Sequence, residues 1–320
     1  MPKPNQVLVL YNMSDEQKKK LESFAPNANF IYETASTVSQ DVINASDVIL
    51  GSLAPAAVCD SNNLKWMQLW SAGSDVFQKF GKFPKDAILT NGSGAYGLTI
   101  SEHIIAMIIM LKRKLYVHYQ DQLECKWGSG VGEISSIYGS TILILGLGDL
   151  GSEFAKKAKV MGANIVGIRR SARPAPDFVD EVHTSDKLDE LLPKADILVI
   201  SVPDTDETRK MINKERLAKL KKSAIVVNVG RGATIDTDAI TEALEKGQIA
   251  GAALDVTDPE PLPAEHKLWK LPNVLITPHS SGNHNLPETY RRLIEIAIDN
   301  FEAYMNDKPM KNIVDFGRQY

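Results

Sequence analysis

The fold of this chain is decided by Ser140-Thr-Ile-Leu-Ile-Leu-Gly146-Leu-Gly148-Asp-Leu-Gly151, a stretch in the middle of the sequence. A short β-branched apolar run leads directly into G-x-G-x-x-G, and an amphipathic helical pattern follows, which is the context of a dinucleotide-binding loop. The first glycine permits a tight turn, the second lets a pyrophosphate approach the backbone, and the third lets the helix pack against the strand. N–H groups at the helix start then bind the phosphates.

Short apolar runs alternate with helical patterns on both sides of this loop. Upstream, the predicted strands are 6–10, 29–33, 47–50, 64–69 and 87–90, with a helix over 15–24. From the loop onward, six strands are predicted over 141–145, 164–168, 196–202, 224–229, 249–254 and 273–276. Strands that alternate with helices favour doubly wound parallel sheets. We therefore predict an α/β protein with two Rossmann-like domains.

The expected domain boundaries lie next to two helices. Thr99-Ile-Ser-Glu102 reads as a capping box, which would open a helix that runs to about His118 and crosses between the domains. A last amphipathic helix, from Pro287 to about Met305, is expected to return to the first domain. The cofactor domain would then be inserted into a discontinuous domain, with boundaries 99–284 for the insert and 1–98 plus 285–320 for the remainder.

Composition excludes several classes of function. A length of 320 residues suits roughly two domains, and the net charge of −4 gives no reason to expect a nucleic-acid or anionic-membrane partner. The two cysteines, Cys59 and Cys125, have neither metal-site nor disulfide-framework spacing, and we expect no metal. The N-terminus lacks the apolar segment of a signal peptide, and the longest apolar run, 104–111, is too short for a membrane span. A cytoplasmic location is expected.

The residues after the second strand of the nucleotide unit bear on the choice of cofactor. A carboxylate is expected there if NAD is preferred, because it accepts from the ribose 2′-OH. The sequence instead reads Arg169-Arg170-Ser171-Ala172-Arg173, and two guanidinium groups with a hydroxyl suit a 2′-phosphate. An ordinary solvated basic loop is the alternative. We predict NADP(H) as the preferred cofactor, with NAD(H) as the second choice.

Three further predicted strands each end in a residue that can carry chemistry. Arg231 follows 224–229, Glu260 follows 249–254, and His279 follows 273–276. Each residue alone is weak evidence, because single charges and histidines are commonly structural. Together, at the carboxyl ends of neighbouring strands, they form the set that reduction of a 2-keto acid requires: a guanidinium for the carboxylate, and an imidazole with a carboxylate partner for proton transfer.

These motifs together resemble the D-isomer-specific 2-hydroxyacid dehydrogenase family, which includes glyoxylate and hydroxypyruvate reductases. The resemblance runs from about residue 64 to 300 and is strongest over 140–283. It is carried by the glycine loop, Asn228-Val-Gly-Arg231-Gly, Asp255 with Glu260, and Pro278-His279-Ser-Ser-Gly282. It implies NADPH-dependent reduction of a small 2-keto acid to the D-2-hydroxy acid, with Arg231 as substrate binder, His279 as proton donor and Glu260 as its partner.

The resemblance also implies the remaining site positions, a substrate-binding role for the discontinuous domain and a homodimer built through the cofactor domain. The expected cofactor-binding residues are Gly146, Gly148, Asp149, Leu150, Gly151, Arg169, Arg170, Ser171, Val202, Pro203, Thr208, Val229, Asp255, Ser281, Gly282 and Thr99. The expected substrate-binding residues are Leu53, Ser71, Ala72, Gly73 and Arg231. Backbone N–H groups of the loop 71–73 would receive the substrate carboxylate.

Two alternatives remain open at this stage. Formate- and phosphite-oxidising enzymes share the architecture, although formate dehydrogenases of this fold pair their histidine with Gln, and Glu260 argues against that activity. A nucleotide-sensing protein similar to the corepressors that reuse this fold is the alternative from another functional class, because such proteins can retain the same three residues.

Overall fold

The computed structural model describes residues 3–128, 130–171, 173–283 and 286–318. The chain forms two compact units, one of Met1–Tyr96 with His284–Tyr320 and one of Gly97–Asn283, inserted between these two parts. The first boundary falls after Tyr96, whereas the sequence led us to expect it after residue 98. The second expected boundary, after residue 284, lies outside the described residues.

The described part of the first unit begins with five strands and four helices. The strands are β1 (Gln6–Val9), β2 (Asn29–Tyr32), β3 (Val48–Leu50), β4 (Trp66–Gln68) and β5 (Ile88–Thr90), and the helices are α1 (Asp15–Ser23), α2 (Gln40–Ala45), α3 (Pro55–Val58) and α4 (Asp75–Phe80). The strands form one parallel sheet in the order β2-β1-β3-β4-β5. Val7, Leu8 and Val9 of β1 are fully buried, as is typical of parallel strands covered on both faces.

The described part of the second unit contains seven strands and six α-helices. The helices are α5 (Gly97–Lys112), α6 (Leu115–Leu123), α7 (Asp149–Val160), α8 (Leu188–Leu191), α9 (Lys214–Leu217) and α10 (Thr237–Glu245), and the strands are β6 (Thr141–Leu145), β7 (Asn164–Arg169), β8 (Glu181–Thr184), β9 (Ile197–Ile200), β10 (Ile225–Asn228), β11 (Gly251–Leu254) and β12 (Val274–Ile276). They form a parallel sheet in the order β12-β11-β10-β9-β6-β7-β8. The strand order reverses at β6, which lies between β9 and β7, as in doubly wound folds. The predicted α/β fold class with two Rossmann-like domains is confirmed.

The last helix, α11 (Pro287–Met305), belongs to the first unit, as the sequence predicted. Phe301 of this helix is fully buried and stacks on Trp66 of β4 with ring centroids 6.2 Å apart. It also meets the edge of Phe30 of β2 at 6.0 Å. Burial of large aromatic side chains contributes strongly to stability, so this distant segment completes the core of the first unit.

The prediction of six strands in the second unit is wrong, because β8 is a seventh. This strand pairs only with β7, at one edge of the sheet, and none of its residues is fully buried. An edge strand with a half-exposed face does not need the apolar run that signals a buried parallel strand. Its Glu-Val-His-Thr sequence therefore carries no clear strand pattern.

The predicted capping box at Thr99 is also wrong, because α5 begins at Gly97. The N–H of Gly97 donates to Oδ2 of Asp149 at 3.0 Å, so a carboxylate from α7 satisfies the start of the helix. A Cβ atom at position 97 would lie 2.6 Å from Cγ of Glu153, so a larger residue there would require that side chain to shift. Tertiary packing, and not the local cap, sets the start of α5.

The same helix ends earlier than predicted. Lys114 adopts φ 53°, a left-handed conformation that breaks the helix, and α6 begins at the next residue. The expected single helix to about His118 is therefore two helices. No helix in the described parts of the chain is long and apolar enough to cross a bilayer.

Candidate functional site

The glycine loop forms a close-packed turn with one open position. Gly146 adopts φ +95°, which glycine allows readily. A Cβ atom at Gly151 would lie 2.0 Å from the carbonyl oxygen of Gly146, whereas one at Gly148 would meet nothing within 4 Å. Gly148 is also the N-cap of α7, and no side chain caps that helix. Its first backbone N–H groups and the space beside Gly148 therefore suit a phosphate group.

Three predicted positions lie around this helix start. The Asp149 carboxylate accepts from Gly97 and so ties α7 to α5. Leu150 is partly exposed on the first turn of α7, and Thr99 is partly exposed on the first turn of α5. The side chain of Asp149 therefore has a structural partner. The prediction that Asp149 belongs to a cofactor site depends instead on its backbone position at the start of α7.

The basic residues predicted to select the cofactor lie at the carboxyl end of β7. Arg169 is the last residue of that strand, and its buried Nε has no hydrogen-bond partner among the described residues. Arg170 and Ser171 are exposed, and Arg170 Nη2 lies 3.5 Å from Oε1 of Glu207. Exposed ion pairs contribute little to stability, so Arg170 is open to exchange this partner for a stronger anion.

The residues after β9 form a tight turn beside the glycine loop. Ser201 Oγ donates to the carbonyl oxygen of Gly146 at 2.8 Å, which fixes the end of β9 against the loop. Thr208 is buried, and its hydroxyl donates to the carbonyl oxygen of Pro203 at 2.6 Å. Val202 and Pro203 are partly exposed. The Thr208 hydroxyl therefore holds the turn together, and Val202 and Pro203 are the accessible members of this predicted group.

The turn after β10 is organised by Asn228. Its amide oxygen accepts from the N–H of Gly230 at 3.1 Å, and its amide nitrogen donates to the carbonyl oxygen of Arg231 at 2.9 Å. Arg231 is partly exposed, and its Nη1 donates to the carbonyl oxygen of Gly230 at 2.8 Å. Val229 is buried. The turn thus presents one partly exposed guanidinium at the end of the strand.

The buried carboxylate of Asp255 fixes the turn after β12. Asp255 is only 2% exposed, and its Oδ1 accepts from Thr277 Oγ1 at 2.6 Å and from Ser280 N at 2.9 Å. The N–H of Ser281 donates to both carboxylate oxygens, at 3.1 and 3.2 Å, and the Ser281 hydroxyl also donates to Oδ2. Asp255 and Ser281, both among the predicted cofactor-binding residues, are therefore hydrogen-bonded to each other. Gly282 follows and is partly exposed.

His279 lies within this turn and contacts Glu260. Its Nδ1 is 2.6 Å from Oε1 of Glu260, and the two side chains are 48% and 43% exposed. The backbone of His279 adopts φ 50°, and its N–H donates to the carbonyl oxygens of Asp255 at 2.8 Å and Thr277 at 2.9 Å. With Nδ1 bonded to the carboxylate, Nε2 remains as the ring nitrogen for a ligand.

The three predicted catalytic residues follow adjacent strands. Arg231 follows β10, Glu260 follows β11 and His279 follows β12, and these strands are neighbours in the sheet. Glu260 and His279 are in direct contact. The guanidinium of Arg231 and the paired side chains of His279 and Glu260 therefore follow strands on one side of the sheet that also carries the glycine loop.

Two residues in this region were missed by sequence reasoning. Thr277 bonds Asp255, and His103 of α5 lies with Nε2 3.1 Å from Thr277 Oγ1. Thr277 could have been identified from the sequence, because its hydroxyl directly precedes Pro278-His279. Nothing in the sequence pairs His103 with a residue 174 positions away.

In the first unit, the loop 71–73 is held at both ends. The Ser71 carbonyl oxygen accepts from Gly92 N at 2.8 Å, and the Ser71 hydroxyl donates to the carbonyl oxygen of Gly73 at 2.8 Å. Tyr96 donates to the carbonyl oxygen of Trp70 at 2.7 Å. Burial raises the pKa of Tyr96 to about 12, so its phenol keeps the proton that it donates at neutral pH.

The other substrate positions predicted in this unit differ in their surroundings. Ala72 is partly exposed in the middle of the loop. Leu53 is also partly exposed, but it packs against the apolar core of the unit. Leu53 therefore contributes to the core of the first unit. The sequence alone did not distinguish this packing role from the predicted role in substrate binding.

Comparison with known proteins identifies the family. The model of the D-isomer specific 2-hydroxyacid dehydrogenase NAD-binding domain matches residues 105–281, all within the second unit. Glyoxylate/hydroxypyruvate reductase B of Pectobacterium atrosepticum is 35% identical over 251 residues, which cover 77% of each chain. The chain belongs to the D-isomer specific 2-hydroxyacid dehydrogenase family, and it is an oxidoreductase with an NAD(P)-binding Rossmann domain.

Solved structures agree with this assignment. A D-isomer specific 2-hydroxyacid dehydrogenase family protein from Aeromonas salmonicida has a TM-score of 0.85 at 28% identity, over 98% of this chain and 99% of that one. An NADPH-dependent glyoxylate/hydroxypyruvate reductase from Sinorhizobium meliloti, in complex with NADP and sulfate, has a TM-score of 0.80 at 25% identity, over 99% and 100% of the two chains.

The residues around the glycine loop fit a nicotinamide dinucleotide. The uncapped start of α7 and the open space at Gly148 would hold the pyrophosphate, and the carboxyl end of β7 would hold the adenosine ribose. No group of three or more His, Cys, Asp or Glu side chains in the described ranges could bind a metal ion.

Two glycine substitutions separate packing from phosphate binding. Gly148→Ala adds a methyl group into open space, so we expect the unfolding midpoint to stay unchanged while the Kd for NADPH rises about tenfold or more, because the methyl group keeps phosphate from the backbone. Gly151→Ala would collide with the Gly146 carbonyl oxygen and should destabilise the unit by about 1–3 kcal/mol. Urea unfolding and fluorescence titration measure the two effects. Equal NADPH affinity in Gly148→Ala and wild type would contradict the assigned phosphate position.

Proposed function

We propose that this protein reduces a small 2-keto acid of the glyoxylate and hydroxypyruvate class to the D-2-hydroxy acid, with NADPH as the preferred reductant. The observation that carries the proposal is the 2.6 Å hydrogen bond between His279 and Glu260, at the edge of the nucleotide-binding sheet. The similarity to glyoxylate/hydroxypyruvate reductase B supports the substrate class. The second unit would bind the dinucleotide, and the first would serve in substrate binding.

His279 would act as the proton donor. Glu260 binds Nδ1 and so fixes the orientation of the imidazole ring, which leaves Nε2–H to protonate the keto oxygen. When bound, the reduced nicotinamide supplies the hydride that the carbonyl carbon accepts. The hydride and the proton from His279 together convert the carbonyl group into a hydroxyl group, and solvent returns the proton to the ring.

Arg231 would bind the substrate carboxylate and polarise the keto oxygen. One guanidinium nitrogen is held by the Gly230 carbonyl oxygen, which limits the orientations of the side chain and prepares it for a charge-assisted contact. In the first unit, the backbone N–H groups of Ser71, Ala72 and Gly73 are proposed to take part in substrate binding.

The activity is tested with a panel of short, branched and aromatic 2-keto acids, by following the absorbance of NADPH. We expect turnover with glyoxylate or hydroxypyruvate. Arg231→Ala should lower kcat/KM about 100-fold or more, equivalent to about 3 kcal/mol, because the substrate loses its cationic partner. The Kd for NADPH should change little.

Arg318→Ala provides a matched control, because Arg318 is an exposed arginine of the first unit whose ion pair, within the described ranges, is with nearby Asp315. Absence of turnover across the panel would contradict the proposal. Tight NADPH binding without turnover would favour the nucleotide-sensing alternative instead.

The cofactor preference rests on the carboxyl end of β7. Arg169 and Arg170 provide two guanidinium groups and Ser171 a hydroxyl, and the sequence has no Asp or Glu directly after this strand, the position from which a carboxylate would bind a ribose 2′-OH. The relative from Sinorhizobium meliloti was solved in complex with NADP. These residues would bind the 2′-phosphate and favour NADPH over NADH.

Arg170→Ala tests this preference. A hydrogen bond to a charged group contributes about 1.5–3 kcal/mol, so kcat/KM for NADPH should fall about tenfold or more. The value for NADH is the internal control and should stay within about twofold, because NADH has no 2′-phosphate. Steady-state kinetics with both nucleotides give the ratio. Wild-type protein that uses NADH more efficiently than NADPH would refute the role of these arginines.

A homodimer is the proposed assembly, and α6 offers the surface for it. Leu115, Tyr119 and Leu123 recur every four residues on one face of α6, and all three are exposed, as is Trp127 just beyond the helix. We call these four residues the α6 face. An exposed apolar stripe on a helix is typical of a protein interface, and the occupant we propose is the same face of a second copy.

Two charges on the α6 face should separate the dimer. Sedimentation velocity should give a dimer for the wild type and a monomer for Tyr119→Lys with Leu123→Lys, because buried ammonium groups would face each other across the interface. Val76→Lys, at an exposed apolar position of the first unit, is the control and should remain dimeric. A monomeric wild type, or a charged variant that stays dimeric, would argue against this surface.

A further inference from the structure

A chain of hydrogen bonds leads from helix α5 to the turn that carries His279. His103 Nε2 lies 3.1 Å from Thr277 Oγ1, which lies 2.6 Å from Asp255 Oδ1. The same carboxylate oxygen accepts from Ser280 N at 2.9 Å. These hydrogen bonds therefore link the start of the turn that carries His279 to the residue after His279. All the residues in this hydrogen-bond chain belong to the second unit.

The proton positions in this chain follow from the chemistry of its groups. Asp255 faces the N–H groups of Ser280 and Ser281, so its carboxylate acts as an acceptor. The single hydroxyl proton of Thr277 then points to Asp255. Because that proton is used, Thr277 Oγ1 must accept from His103, and His103 must carry its proton on Nε2.

The turn that this chain braces has an unusual backbone. His279 has φ 50°, a region that side chains other than glycine rarely adopt. Such a conformation persists only where surrounding contacts determine it. Those contacts are the hydrogen bonds of the His279 N–H to the carbonyl oxygens of Asp255 and Thr277. The positions of Thr277 and Asp255 therefore set the backbone conformation from which the His279 side chain extends toward Glu260.

We propose that His103 is a positioning residue for the proton donor. By donating from Nε2 to Thr277, it fixes the hydroxyl that binds Asp255, and through that carboxylate it holds His279 in the orientation that meets Glu260. The inference rests on the proposed role of His279 and extends it to a second histidine on a different helix. His103 itself donates no proton to the substrate.

Four substitutions test the chain at two of its members. His103→Leu and Thr277→Val remove the donor and the hydroxyl, whereas His103→Gln and Thr277→Ser keep an N–H and a hydroxyl there. We expect kcat to fall about tenfold or more in the first pair, because small misplacements of a reacting group are costly. KM for the keto acid and Kd for NADPH should stay within about twofold. The second pair should recover most of kcat.

His118→Leu is the matched control, because His118 is exposed on α6 and has no part in the chain; its kcat should equal that of the wild type. An NMR experiment on protein labelled at histidine provides a readout that needs no turnover. The His279 ring resonance, assigned by its loss in His279→Gln, should shift in His103→Leu and Thr277→Val and return in His103→Gln and Thr277→Ser.

The outcomes separate this inference from the proposed function. A wild type without keto-acid turnover, or a His279→Gln variant as active as the wild type, would refute the proposed function, while the ring resonance would still test the chain. An active wild type with unchanged kcat and an unchanged His279 resonance in His103→Leu would overturn the positioning role. It would also be overturned if His103→Gln were as impaired as His103→Leu, because the donor would then not be the cause.

Discussion

The geometry of the site depends on one buried charge, the carboxylate of Asp255. Burial of a carboxylate is costly unless hydrogen bonds compensate for the lost water. Here the compensation comes from Thr277, Ser280 and Ser281, which all belong to the turn after β12. A turn that followed a different path would move these donors away from the carboxylate. The turn is thereby fixed, and with it the left-handed backbone of His279.

Helix α5 contacts both the glycine loop region and the turn that carries His279, within the second unit. Its first residue, Gly97, donates to Asp149 at the start of α7, next to the glycine loop. Its second turn carries His103, which bonds Thr277 at the base of the histidine turn. Helix α5 thus contacts both the glycine-loop end of the sheet and the turn that carries the proposed proton donor. A rigid element of this kind suits a site in which small displacements are costly.

Local patterns were sufficient for much of the fold and for the residue types in the site. The apolar runs and the glycine loop predicted parallel strands and a nucleotide-binding helix, because buried parallel strands and phosphate loops leave strong local signals. Glu260 and His279 were identified from their positions after strands, and their direct contact agrees with that reasoning. Edge strand β8 escaped prediction because a half-exposed strand needs no apolar run.

By itself, the sequence indicated the fold class, the glycine loop and the candidate reactive residues, since each of these leaves a pattern within a short stretch of chain. Tertiary structure alone decided where α5 begins and which groups brace the histidine turn. Gly97 meets Asp149, and His103 meets Thr277, only after distant segments pack. The physical reason is that a hydrogen bond between remote residues has no periodicity in the sequence, so only the folded chain identifies its partners.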